Sequence, residues 1–249
     1  RPSSFRGRRS TRPAPLVESR AMRAPRFGPS EPRHSYVSVF VLLLVMVVYA
    51  IASPETPFAR FVLVALQCAV LVVAAWTSGA PRRVQRFAWL ISTIAFLTGV
   101  ALVLGDNADV GKMASIGGLV VAVTPFVMLG GLGRTLREQG VTAQVVFGAV
   151  ALYLLAGVFF ASVYGTLARY GSTPLFDPPN GDGTVTEHYY FSFVTQTTVG
   201  YGDFAPYNQV ARSAAVLQAL SGQLYLVTVL ALIVGNLGRG PRTRTTDEG

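Results

Sequence analysis

Six long apolar runs constrain the fold of this chain most strongly, because backbone polar groups inside a bilayer must be hydrogen-bonded within the protein. A helix needs about 20 apolar residues to cross the hydrocarbon layer. Six segments come near this length, namely residues 36–52, 61–77, 87–104, 113–132, 141–164 and 210–237. Charged residues make up only 13% of the chain, about half the share of a typical soluble domain. The sequence therefore predicts an all-α integral membrane protein with six transmembrane helices.

The distribution of basic residues predicts the orientation of these spans, because basic loops tend to stay in the cytoplasm. The N-terminal segment, the loop after the second span, the link after the fourth and the tail hold most of the arginines. With six spans, all four lie on one side of the membrane. The opposite loops hold more acids than bases: Glu55, Asp106, Asp109, Asp177, Asp182 and Glu187, against Arg60, Lys112 and Arg169. We therefore expect a multi-pass protein of the plasma membrane with both termini in the cytoplasm.

The N-terminal arm, residues 1–34, supplies much of the net charge of +9. It is rich in Arg, Pro and Ser, a composition typical of disordered segments. On the cytoplasmic face such an arm could lie against anionic lipid headgroups. We therefore expect the positive charge to set the membrane topology and to contact anionic lipids, and we expect no nucleic-acid partner.

A heptapeptide before the last span carries the strongest functional signal; it reads Thr197-Thr198-Val199-Gly200-Tyr201-Gly202-Asp203. An ion in a narrow pore must exchange its water for closely spaced oxygens. Carbonyl groups all point inward only where alternate residues have φ values of opposite sign. Gly200 and Gly202 can adopt positive φ without a Cβ clash. Val199 and Tyr201 can then pack outward, and Thr198 can add its hydroxyl as the innermost ligand.

The heptapeptide resembles the selectivity filter of the tetrameric potassium channels, in which backbone carbonyl oxygens replace the hydration shell of K+. The resemblance covers about residues 141–238 and is most specific at the filter. It implies a pore domain with a re-entrant pore helix and a filter loop between spans five and six. It also implies that K+ is the permeant ion and that there is no cofactor and no enzymatic activity. Because one chain carries one filter, four identical chains must surround the pore, so each subunit has three identical partners.

The resemblance assigns roles to individual residues. The expected K+ ligands are the filter oxygens of Thr198, Val199, Gly200 and Tyr201. Filter support is expected from Thr197, Gly202, Asp203 and Tyr190.

Residues 188–198 are too short to span a bilayer and are predicted to form the pore helix. Its C-terminal end would direct partial negative charge at a dehydrated cation. Two positions depart from the family pattern. Tyr190 and Phe191 stand where many members have two tryptophans, and Val194 stands where some have a glutamate that bonds behind the filter. We therefore hypothesise that the Tyr190 hydroxyl donates to Asp203 instead.

The last span is predicted to line the ion pathway. Gly222 is a candidate gating hinge, or it allows close helix packing. Gln223 is either cavity-facing or bonded to another helix, and Leu226 and Leu230 share its helix face. Toward the cytoplasmic end, Val234 is a candidate for an apolar constriction that closes the pore by dewetting.

Residues 35–133 form a predicted four-helix membrane domain that lacks the arginines of a voltage sensor. Voltage sensing requires several such charges within the membrane. Arg134 and Arg137 fall in the predicted cytoplasmic linker, residues 134–140, and residues 239–249 form a short cytoplasmic tail. We therefore expect a channel without strong voltage gating.

Other chemistry finds little support in the sequence. Cys68 is the single cysteine, and His34 and His188 lack metal-ligand spacing. The alternative functions are a membrane subunit of a coupled potassium transport system and a pore fold retained for assembly without conduction; the intact filter favours a channel. Lys112 is the one lysine among 21 basic residues, a bias that resembles proteins of high-GC bacteria.

Overall fold

The computed structural model describes residues 36–104, 110–139 and 142–237. Seven helices lie in these ranges: α1 (Tyr36–Ala52), α2 (Pro57–Thr77), α3 (Arg82–Leu104), α4 (Val110–Gln139), α5 (Ala143–Tyr170), α6 (Val185–Gln196) and α7 (Gln209–Leu237). Within the described ranges the β pairing is a single antiparallel bridge between Phe176 and Pro206. The predicted arm and tail, and the loop with Asp106 and Asp109, lie outside the described residues.

Among the described residues, four helices, α2, α3, α5 and α7, are long and apolar enough to cross a membrane, and α1 is a shorter apolar helix. The described part of the chain is therefore helical, as expected, and suits a multi-pass membrane protein. Threonine side chains mark where three helices begin. The hydroxyls of Thr56, Thr142 and Thr184 accept hydrogen bonds from the first turns of α2, α5 and α6.

Helix α5 lies at the centre of the packing, in contact with α1, α4, α6 and α7. One apolar core joins α1, α2, α4 and α5 and reaches α6 through Tyr189. A second core packs α2 against α3 and α4. Helices α1 and α4 thus pack directly against α5, α1 also contacts α6, and α3 packs on α2 and α4.

Several helix boundaries differ from the predictions. Helices α2 and α3 begin at Pro57 and Arg82, so charged first turns extend the apolar runs. Helix α4 continues to Gln139, so most of the predicted linker, 134–140, is helical. Helix α6 begins three residues before the predicted pore helix and ends two residues before its predicted end.

Candidate ion-conducting site

Helix α6 is positioned at its N-terminus by a reciprocal capping arrangement. The Glu187 amide donates to the Thr184 hydroxyl at 3.3 Å, and the Thr184 amide donates to Glu187 Oε2 at 2.6 Å. This capping box satisfies two amides that a helix start leaves unpaired. It accounts for the start of α6 ahead of the aromatic stretch.

An ion pair between Glu55, in the loop between α1 and α2, and the buried Arg60 is hydrogen-bonded to the start of α6. Arg60 Nε donates to Glu55 Oε2 at 3.0 Å, and Arg60 Nη2 donates to the Thr186 hydroxyl at 2.9 Å. Glu55 Oε1 accepts from the Thr186 amide at 3.0 Å. Arg60 is only 1% exposed and lies in the first turn of α2, not in a solvated loop.

The ionisation of Glu55 follows from this arrangement. Glu55 lies between α1 and α2, outside the candidate spans. Burial alone would raise the pKa of its carboxyl, but hydrogen bonds from Thr186 and Arg60 and the charge of Arg60 outweigh burial and lower it. The ionised carboxylate is therefore the form that stabilises the start of α6.

The backbone of the heptapeptide leaves α6 through a short hydrogen-bonded turn. The amides of Thr198 and Val199 donate to the carbonyls of Thr195 and Val194 at 3.1 and 3.0 Å. Beyond this turn, Gly200 and Gly202 have φ values of 56° and 82°, the sign expected from sequence. The glycines occur where the backbone needs the left-handed region.

Thr198 also has positive φ, at 58°, which the sequence did not predict. This conformation is uncommon for a β-branched residue and persists only where the surroundings hold it. With Thr198 included, positive φ recurs at every second residue, at 198, 200 and 202. The alternation proposed for two glycines thus extends to the inner end of the loop.

The carbonyl oxygens of this loop remain available for a ligand. Within the described part of the chain, no hydrogen bond ends on the carbonyl oxygen of any residue from Thr198 to Gly202. The Thr198 hydroxyl donates to the Thr197 carbonyl at 2.7 Å, which leaves its oxygen able to accept or to ligate. In a water-excluding site, such a row of oxygens suits a desolvated cation.

Asp203 fixes the outer end of the loop through three hydrogen bonds. The Tyr190 hydroxyl donates to Asp203 Oδ2 at 2.6 Å, which is the contact hypothesised from sequence. The Phe204 amide donates to Oδ1 at 3.1 Å, and the Asn180 side chain donates to the Asp203 carbonyl at 2.7 Å. Tyr190 lies outside the candidate spans, and the hydrogen bond to Asp203 raises its pKa to about 12, so its hydroxyl is a donor at neutral pH.

Aromatic rings brace the outer half of α6. The Phe191 ring contacts the rings of Tyr164 and Phe176 at centroid distances of 4.8 and 5.1 Å, both edge to face. Phe176 also meets Phe204, which follows Asp203 directly, at 5.1 Å. Edge-to-face pairs stabilise packing beyond the apolar area that they bury. Phe191 thus links α6 to α5 and to the loop before α6 through ring contacts.

A buried polar network behind α6 was missed at the sequence level. Gln218 Nε2 donates to the carbonyl of Ser192 at 2.9 Å, to its hydroxyl at 2.7 Å, and to Gln196 Oε1 at 3.2 Å. Gln218 Oε1 accepts from the Tyr164 hydroxyl at 2.7 Å. Gln196 Nε2 donates to the Tyr153 carbonyl at 2.7 Å. The sequence does contain a signal for this network, because a glutamine inside an apolar span usually has a polar partner. Gln218 meets this description as well as Gln223 does.

The residues singled out on α7 occupy different surroundings. Gly222 lies within a continuous helix, and a Cβ added there would lie 3.0 Å from the Gln196 carbonyl oxygen. This contact supports close packing, and the hinge remains a prediction. Gln223 Nε2 lies 3.4 Å from the Thr198 hydroxyl oxygen, at the inner end of the loop. The remaining gate candidates are exposed in the single chain and are not joined to the loop; they are Leu226, Leu230 and Val234.

Residues 146–238 match a family model described as "Ion channel". The chain is 28% identical over 156 residues to the voltage-gated potassium channel Kch of Escherichia coli, covering 62% of this chain and 34% of that protein. It is 34% identical over 118 residues to the voltage-gated potassium channel KCNC4 of Rattus norvegicus, covering 45% and 18%. It is 32% identical over 108 residues to the potassium voltage-gated channel protein shk-1 of Caenorhabditis elegans, covering 42% and 18%.

The chain thus spans about a third or less of the length of these relatives. No solved structure matches it.

Proposed function

We propose that this chain is a potassium channel and that it conducts K+ passively through a homotetrameric pore. The match of residues 146–238 to the ion channel model and the similarity to potassium channels support this proposal. The observation that carries the proposal is the alternating backbone of residues 198–202, whose carbonyl oxygens lack hydrogen-bond donors within the described chain. The K+ ligands are Thr198, Val199, Gly200 and Tyr201. Thr197, Gly202, Asp203 and Tyr190 hold the loop in shape.

Assembly into a tetramer is supported by apolar surface that one chain leaves uncovered. Leu217, Leu224 and Val227 of α7 are each more than half exposed, and so are Val199 and Tyr201 of the filter loop. One loop supplies only one wall of a pore, and closed rotational symmetry supplies the others. Three further copies of this chain are therefore the proposed partners.

Six spans with both termini in the cytoplasm agree with the position of the charged loops. Hydrogen bonds from Thr186 bring Glu55 and the segment before α6 to one end of the bundle. At the other end, Arg134 Nη1 donates to the carbonyl of Gly79, in the turn beside Arg82 and Arg83. Under the positive-inside rule, the arginine-rich end is cytoplasmic in a plasma membrane. The N-terminal arm would then face anionic lipid headgroups.

Purified protein reconstituted into planar bilayers tests conduction. We expect reversal potentials that follow the K+ gradient, with little sodium permeability, and native mass spectrometry should find four chains. A strict need for a nucleotide or a second subunit would instead support a coupled transport system. Comparable sodium and potassium permeability would contradict the proposal.

A matched pair of glycine variants tests the site itself. Gly200 and Gly181 both have positive φ, and a Cβ added at either residue would meet no atom within 4 Å. Alanine at either position strains the backbone by a similar amount. Gly200→Ala should abolish or strongly reduce K+ current, whereas Gly181→Ala, in the loop before α6, should retain it.

A further inference from the structure

The strongest feature outside the filter loop is the buried polar network between α5, α6 and α7. Gln218, Ser192 and Gln196 are at most 1% exposed, and each uses its polar side-chain atoms. The Ser192 hydroxyl donates to the Gly157 carbonyl at 2.7 Å while accepting from Gln218. The Tyr153 hydroxyl donates to the Gln196 carbonyl at 3.2 Å. Three helices therefore meet through one connected set of hydrogen bonds.

The position of the network ties it to the inner end of the filter loop. Gln196 is the last residue of α6, and Thr198 follows two residues later. The Gln196 carbonyl accepts a hydrogen bond from the Tyr153 hydroxyl, and the Gln196 side chain is hydrogen-bonded to the Tyr153 carbonyl and the Gln218 amide. Gly222 permits α7 to approach this carbonyl closely, because a Cβ there would lie only 3.0 Å away.

The local backbone requires such restraint. A β-branched residue at positive φ is strained and keeps this conformation only when its neighbours hold it there. Two buried glutamine amides also carry a desolvation cost unless their hydrogen bonds are made. Leucine in both places would satisfy packing without that cost. A network placed directly behind a strained loop thus fits a role in fixing the loop better than a role in general stability.

We propose that Gln196 and Gln218 are positioning residues that set the spacing of the innermost ion-binding oxygens, those of Thr198 and Val199, and so determine the discrimination between K+ and Na+. This inference rests on the proposed function. Neither side chain touches the ion. Each acts through the backbone of α6, because loss of either amide releases the Gln196 side chain from its partners, loosens the last turn of α6 and relaxes the φ alternation that begins at Thr198.

Gln218→Met and Gln196→Met test the inference, since methionine keeps the approximate length of glutamine and removes its amide. Each variant should raise the sodium-to-potassium permeability ratio, measured from bi-ionic reversal potentials, severalfold and up to about tenfold. The double variant should change the ratio by clearly less than the product of the single effects, because both residues belong to one network. Gln85→Met makes the same chemical change near the start of α3 and should leave the ratio unchanged.

Assembly is checked by size-exclusion chromatography of each variant. If the methionine variants fail to form tetramers, Tyr164→Phe decides the matter, because it removes only the hydroxyl that donates to Gln218 Oε1. It should raise the ratio in the same direction by a smaller factor. A wild-type ratio in variants that assemble and conduct overturns the inference alone. A wild-type protein that does not select K+ overturns the proposed function as well.

Discussion

The Tyr190 hydroxyl and the Asp203 carboxylate lie 2.6 Å apart at the outer end of the proposed filter loop. Tyr190→Phe removes the donor and keeps the ring, which packs against Phe204. We expect the outer filter to lose rigidity, so that current during sustained opening inactivates severalfold faster. Macroscopic recordings from reconstituted channels measure this rate.

Tyr207→Phe is the matched control for this variant, because Tyr207 lies four residues beyond Asp203 and its side chain is about half exposed. It should inactivate at the wild-type rate. Unchanged inactivation and ion selectivity in Tyr190→Phe would count against a supporting role for this hydroxyl.

Two glycines of α7 allow a second comparison at the residue scale. A Cβ at Gly222 would lie 3.0 Å from the Gln196 carbonyl oxygen and 3.1 Å from its Cγ, whereas a Cβ at Gly235 would meet nothing within 4 Å. Gly222→Ala should therefore destabilise the packing of α7 on α6 by about 1–3 kcal/mol. Gly235→Ala should have little effect.

Thermal unfolding of the purified protein in detergent compares these two variants. Equal melting temperatures would show that α7 does not pack this closely on α6. A Gly222→Ala protein with wild-type stability but altered opening would favour the hinge interpretation.

At the residue scale, the sequence predicted backbone conformation only where the residue type determines it. Gly200 and Gly202 are the residues that take positive φ readily, so their φ values followed from the motif. The positive φ of Thr198 did not follow, because it depends on the amides of Thr198 and Val199 bonding back to α6. Hydrogen bonds of this kind depend on where the helix ends, which the sequence predicted two residues too late.

At the scale of elements, the start of α6 depends on the ion pair of Glu55 with Arg60. Because the folded-state pKa of Glu55 is lowered, its stabilising effect is complete above the ordinary glutamate pKa of about 4.3 and is lost as pH falls through the lower folded value. Glu55→Gln removes this titration. Its thermal stability should therefore fall less than that of wild type between about pH 6 and pH 3.

Thermal unfolding of wild type and Glu55→Gln across this pH range measures the difference. At neutral pH the variant should already be the less stable protein, because Arg60 is buried and loses its counterion. Parallel pH profiles for the two proteins would show that Glu55 does not contribute through its charge.

The helices themselves were largely predictable, whereas their contacts were not. Apolar length located α1, α2, α3, α5 and α7, since a helix satisfies its own backbone in an apolar setting. Side-chain partners distant in sequence gave no local signal. Tyr164 and Gln218 are 54 residues apart, and Arg60 and Thr186 are 126 apart. The aromatic stretch of residues 188–198 predicted a helix close to α6, but many of the side chains that anchor α6 lie on other helices.

At the scale of the whole molecule, helices α1 to α4 carry little charge that could respond to voltage. In the described part of α4, arginine occurs only at Arg134 and Arg137, in its last turns. The Arg134 guanidinium bonds the Gly79 carbonyl, at the end of the bundle. We expect a shallow conductance–voltage relation with an apparent gating charge below about one elementary charge per channel, against several per subunit in a voltage sensor.

Neutralising both residues, as Arg134→Gln with Arg137→Gln, should leave the slope of this relation unchanged. A steep wild-type curve that flattens in the double variant would contradict the prediction. Recordings from planar bilayers at symmetric K+ provide the comparison.

Helix α7 leaves most of its apolar side chains uncovered by its own chain. In the proposed assembly these side chains become buried only when neighbouring subunits associate, so burial of apolar surface is completed by assembly and not by folding of a single chain. The stability of the pore then rises with the density of copies in the bilayer, by mass action. Dilution into excess lipid should therefore dissociate the tetramer before the individual helices unfold. A subunit that assembles but cannot conduct would also block conduction by the tetramer that contains it.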